Sequence, residues 1–251
     1  MKKVIAFVFL IIFLGFLYFV NGFYGNPISK EISKMSTKNY VEKNYSKDYK
    51  FSKIEYNFKT GKYEVVYKKE NSLDEYFSVF TNPFGKIDDD NFNYTVKNKW
   101  NTYIRLNSDI QEKTDHILRE LLSKDDRDFA YMGLHYEESY ENKLTLNQKI
   151  DIKNPPLDLE LVLNKHSKEV SYRALAELLV EIDRLLMSNN IKASYYNVTL
   201  NSENASDMGD SEVYVYQLKY EDWIIYKDNL EKLAEFLEEY RENWDEENDV
   251  K

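Results

Sequence analysis

The chain has 251 residues, a formal net charge of −10, 28 Lys against 6 Arg, and no Cys. Hydrophobic residues make up 43%, with 22 Tyr and 14 Phe, enough for a packed core and too many for a disordered tail. The acidic balance argues against nucleic acid, whose phosphates need a clustered basic surface, and the missing cysteines exclude disulfides, thiol catalysis and a lipidated cysteine.

The chain opens on Met1-Lys2-Lys3, then runs from Val4 to Val20 without a charged side chain, then breaks at Asn21-Gly22. Seventeen apolar residues in helix rise roughly 26 Å against a hydrocarbon core of roughly 30 Å. The expectation is a transmembrane helix followed by Phe23 and Tyr24 at headgroup level. A secretory signal cleaved near Val20-Asn21-Gly22 has the same order of features and stays open as the alternative. The leading cations place the body outside the cell membrane as a single-pass protein, with the lipid bilayer as partner through Val4–Val20.

Beyond Pro27, the spacing of Ile28, Ile32, Met35, Tyr40 and Val41 predicts an amphipathic helix. Alternation over Tyr49, Phe51, Ile54, Tyr56 and Phe58 predicts a strand whose slip at Ser52-Lys53 marks a bulge. A turn at Thr60-Gly61 leads to a second strand at Tyr63, Val65 and Tyr67, and Tyr76 to Thr81 supplies a third. The sum is a helix on a three- or four-stranded antiparallel meander.

The apolar segment, Asn26-Pro27-Ile28-Ser29-Lys30, Tyr40-Val41-Glu42-Lys43-Asn44-Tyr45, the Tyr/Phe hairpin and Lys99-Trp100-Asn101-Thr102-Tyr103 together resemble the YfjL-like proteins of low-G+C Gram-positive bacteria. The resemblance covers most of the chain and rests on structural motifs, so it implies no activity, substrate or catalytic residue. The helix-plus-meander is also similar to the PepSY and cystatin-like group, some of whose members modulate secreted peptidases; that similarity is one of fold alone.

From Thr95 to Leu122 the spacing of Val96, Trp100, Tyr103, Ile104, Ile110, Ile117, Leu118 and Leu121 predicts a connecting helix that packs Trp100 into a core. Strand-like runs follow at Phe129–Tyr136, Leu144–Ile152 and Leu157–Leu163. Ser167, Glu169 and Val170 open a helix carrying Leu175, Leu178, Leu179, Ile182, Leu185 and Leu186 on one face. A strand from Ile191, a polar Asn201–Asp210 loop with Gly209, a strand from Val213 and a last helix from Tyr226 to about Trp244 complete the pattern. The predicted fold class is α+β: an amino-terminal transmembrane helix, then two small domains of antiparallel sheet packed on helices. Residues 1–25 form the anchor or signal segment, 26–92 the helix and meander, 93–124 the connecting helix and 125–251 the second domain.

His116, His135 and His166 lie far from one another, so metal-ligand spacing is absent. Asp88-Asp89-Asp90-Asn91 lacks the glycine and closing Glu of a calcium loop and reads as a polar turn. No Gly-x-Ser-x-Gly occurs, seven Gly build no phosphate loop, and the acidic face of the last helix reads as solvated. The Asn-x-Ser/Thr matches at Asn44, Asn93, Asn197 and Asn204 are chance in a chain with 24 Asn. No residue is assigned a catalytic, cofactor-binding or metal-binding role. The expected function is binding, of a peptide or an envelope protein, with exposed sheet edges taking an extended peptide by strand addition. An envelope hydrolase using a carboxylate pair and a secreted structural protein are the alternatives.

Overall fold

The computed structural model describes residues 2–123, 125–203 and 212–248. The chain divides into two units, residues 1–102 with 145–147, and residues 103–144 with 148–251.

The first unit starts with α1 (Lys2–Tyr24) and α2 (Pro27–Asn44). Among the described residues no helix is long and apolar enough to cross a membrane, which overturns the transmembrane helix expected over Val4–Val20. Its run of seventeen apolar residues lies at the lower limit of the roughly 17–25 residues of spanning helices. The turns that lengthen α1 add Lys2 and Lys3 at one end and Asn21 and Gly22 at the other. Phe23 stacks on Phe58 with ring centroids 5.6 Å apart, while Phe7, Ile12, Phe16 and Phe19 are exposed.

The elbow between the helices is set by residue chemistry. Gly25 sits at φ 74°, where a Cβ would come 2.6 Å from the Tyr63 hydroxyl. Asn26 caps α2 by accepting from the Ile28 amide, and Pro27 fills the first turn, where no N–H is needed. The Tyr63 hydroxyl accepts from the Asn26 amide at 2.6 Å and donates to the Asn26 carbonyl at 3.0 Å.

Strands β1 (Tyr49–Asn57), β2 (Lys62–Lys69), β3 (Tyr76–Thr81) and β4 (Ile87–Asp90) form an antiparallel meander in sequence order. The register slips between Phe51 and Lys53, as the break in alternation predicts. Val41 of α2 packs with Tyr49, Val65, Tyr67, Phe77 and Val79 to form the core. Each such large side chain contributes roughly 1.5–3 kcal/mol on burial.

Segment 145–147 clips onto the loop between β2 and β3. Asn147 Oδ1 accepts from Ser72 Oγ at 2.9 Å and the Leu73 amide at 2.7 Å, and its own amide donates to buried Asp74 at 2.7 Å. Thr102 donates to the same carboxylate at 2.8 Å. The strand expected at Leu144–Ile152 is therefore absent: Asn147 turns at φ 61° and spends its polar groups on this loop.

The connecting helix is shorter than expected. A π-helical turn (Asn93–Lys97) precedes Lys99 at φ 56°, and α3 runs from Trp100 to Leu118. Trp100 is half-buried beside Tyr94, at 5.1 Å between rings.

The second unit holds β5 (Phe129–Leu134), β6 (Leu159–Ser167), α4 (Tyr172–Ser188), β7 (Tyr195–Ser202), β8 (Glu212–Lys219), α5 (Tyr220–Trp223) and α6 (Leu230–Glu247). Its sheet has the order β5-β6-β7-β8, with β6 and β7 parallel and the outer pairs antiparallel. The expectation of purely antiparallel sheets fails here because α4 carries the chain from the end of β6 back to the start of β7, the crossover that parallel neighbours require. Ser171 rather than Ser167 caps α4, by accepting from the Ala174 amide. Leu159, Leu161 and Leu163 alternate as buried positions along β6, and Leu175, Leu179, Ile182, Leu233 and Trp223 are fully buried as well. The polar loop expected at Asn201–Asp210, with Asn204 and Gly209, lies largely outside the described residues.

Candidate peptide-binding edge

The acidic run Asp88-Asp89-Asp90-Asn91 is spread over the end of β4, with its side chains engaged locally. Asp90 accepts from the hydroxyls of Tyr40 at 2.6 Å and Tyr45 at 2.7 Å. Asn91 accepts from the Ser78 amide, and Asp88 pairs with Lys62. Asp90 raises the Tyr40 phenol pKa through its hydrogen bond, and burial followed by that same carboxylate raises Tyr45.

His116 is exposed on α3, but the other two histidines meet carboxylates that sequence distance hides. His166, at the end of β6, lies 2.9 Å through Nδ1 from Asp128 Oδ1, which also accepts from the His166 amide at 2.8 Å. The other Asp128 oxygen accepts from the Ser123 amide, and its side chain has no exposed surface. These bonds outweigh burial and hold the Asp128 pKa below the usual carboxylate range. Asp125 completes a trio of ligand atoms within 4.8 Å. Arg127 grips both Asp125 oxygens, at 2.9 and 2.6 Å, so the trio acts as a bracket joining the start of β5 to the end of β6. His135 lies 3.2 Å from Glu160 and stacks on Tyr195 at 3.8 Å, and Asn197 also donates to Glu160. Buried carboxylates Asp74, Asp128 and Asp183 are each engaged by different groups: Thr102 and Asn147, Ser123 and His166, and Lys227.

The two sheets present four edges. On β5 the outward groups of Leu134 are satisfied by α3: the Leu134 amide donates to Asn107 Oδ1 at 2.8 Å, and Tyr103 donates to its carbonyl at 2.9 Å. On β8 the Tyr240 hydroxyl donates to the Tyr216 carbonyl. β4 has only four residues. β1 is different: nine residues long, paired with β2 on one side, and without a strand partner on the other among the described residues.

Beside β1 lies an open recess of about 680 Å³, lined by Lys50, Phe51, Lys68, Lys69 and Leu73 among others. Phe51 is 39% and Leu73 58% exposed, apolar surface in a recess that spans β1, its partner β2 and the loop after β2. Lys34 of α2 sits 4.6 Å over the Phe51 ring. Lys34, Lys50 and Lys68 have no carboxylate within 4 Å among the described residues.

Charge divides between the units. The first carries 16 Lys, no Arg and 11 Asp or Glu; the second carries 18 basic residues against 33 acidic. The whole-chain charge conceals a basic unit, a signal that counting by segment would have revealed.

Residues 1–106 match the family model for the YfjL-like N-terminal domain, and residues 109–235 match that for the YfjL-like C-terminal domain. No curated protein and no solved structure matches the chain.

Proposed function

The chain belongs to the YfjL-like family, and from that premise we propose that it is a binding protein whose first unit takes an extended peptide by strand addition to β1. The observation that carries this reading is the unpaired nine-residue edge of β1, set against a four-residue β4 and against β5 and β8, each of which has a main-chain group taken by a helix side chain. Main-chain hydrogen bonds to β1 supply affinity, and an apolar peptide side chain enters the recess at Phe51 and Leu73. The bulge at Ser52 and the lysines of β1 restrain uncontrolled pairing between copies.

The test is selection from a library of extended peptides, followed by amide hydrogen exchange on the complex. Enriched peptides are expected to slow exchange at Phe51–Asn57, and N-methylation of alternate peptide amides should abolish binding. Protection confined to other segments, or indifference to N-methylation, defeats strand addition.

A further inference from the structure

The second unit is strongly acidic, yet four of its lysines gather around one depression. Two hollows of about 170 and 630 Å³ share Asp158, Lys192 and Ser194 in their linings, and so adjoin where β6 and β7 begin and β8 ends. Lys143 and Lys153 lie on the larger hollow, Lys219 on the smaller, and Lys192 on both. Lys143 is paired with Glu137 at 2.8 Å. Lys153, Lys192 and Lys219 have no carboxylate within 4 Å among the described residues, in a unit where acidic residues outnumber basic ones 33 to 18.

The surroundings give these charges a use. Pro155 and Pro156 form a wall without N–H donors, and Ile152, Leu157 and Ile191 continue it. Met187, 40% exposed, adds a thioether that adapts to irregular apolar shapes. Two carboxylates also line the smaller hollow: Asp158, which accepts from Ser194 Oγ at 2.8 Å, and exposed Glu221. Lys192 is held 4.9 Å over the Tyr220 ring, which fixes an otherwise free cation at the junction of the hollows. The lining is mixed, an apolar wall on one side and lysines and carboxylates on the other, and the larger hollow has the volume of a small-molecule site. Lysines without arginine supply point charges rather than a planar fork, which suits a compact anionic head.

We propose that this recess binds a small amphiphilic carboxylate, its head between Lys192 and Lys219 and its apolar body along Pro155, Pro156 and Met187. The site is independent of strand addition at β1, and either can fail alone.

The experiment titrates the full chain with decanoate and, separately, with decanol, following backbone amide and methionine methyl resonances. Decanoate is expected to shift Met187, Lys192 and Lys219, and decanol to bind at least tenfold more weakly. Lys192→Glu with Lys219→Glu should weaken decanoate at least tenfold, whereas Lys34→Glu with Lys50→Glu should leave it unchanged. Should the glutamate pair unfold the protein, Lys192→Gln with Lys219→Gln serves instead, with a loss of several-fold expected. Equal binding of decanol, unchanged affinity in the folded double variant, shifts centred elsewhere, or no binding would each overturn the proposal.

Discussion

Asp128 is one of the residues that make the stability of the second unit depend on acid pH. Its folded pKa lies below the unfolded value, so as pH falls the unfolded chain takes up the proton first. The stabilisation is present above the ordinary Asp value near 4 and is lost as pH falls through the lower folded value. Asp125, lowered chiefly by its hydrogen bonds to Arg127, adds to the same limb. We expect Asp128→Asn to flatten stability below about pH 4, measured by urea unfolding with Trp223 fluorescence as the probe. Tyr63→Phe, which removes two hydrogen bonds at the α1–α2 elbow, should cost about 1–3 kcal/mol in urea unfolding of the first unit followed through Trp100 fluorescence. Neither pairing was legible in the chain. Asp128 and His166 are 38 residues apart, and Tyr63 reads only as one alternating aromatic of a strand.

Elements with a repeating pattern were legible, and those defined by a single polar side chain were not. The bulge in β1 follows from the break in alternation, and α4 follows from seven buried positions on one face. Segment 144–152 alternates like a strand, but Asn147 satisfies a distant loop and has no sheet partner. Asn147→Ala should leave the Ser72 hydroxyl and the Leu73 amide without that acceptor and cost about 1–3 kcal/mol. Limited proteolysis checks this, with new cleavage expected between residues 70 and 76. Parallel pairing of β6 with β7 was implied by the strand–helix–strand order around α4, but periodicity is the same for both directions of pairing. For α1 the run of apolar residues was plain, but the helix that it forms is not long and apolar enough to cross a membrane. Because α1 exposes Phe7, Ile12, Phe16 and Phe19, removing residues 1–24 should leave unit 1 folded and reduce self-association. Size-exclusion chromatography at rising concentration distinguishes the two chains.

Across the whole molecule the decisive quantity is the distribution of charge. A net charge of −10 alone favours basic partners, whereas the first unit and its β1 edge favour acidic ones. Acidic extended peptides should therefore bind β1 at least several-fold more tightly than basic ones of equal length, and the preference should shrink as salt rises. Fluorescence anisotropy at low and high ionic strength measures this directly. Lys34→Glu with Lys50→Glu should invert the ranking without disturbing the core, since both side chains lie outside it.

The clip at Thr145–Asn147 also orders events in time. During synthesis the first unit has emerged by Thr102, but the residues that close its β2–β3 loop follow only after about forty more. Domains generally fold as they leave the ribosome, amino-terminal first, so this one waits in an unlatched state while part of the next is made. A gene cut between residues 106 and 109, where the two family matches part, would express the first unit permanently without its latch.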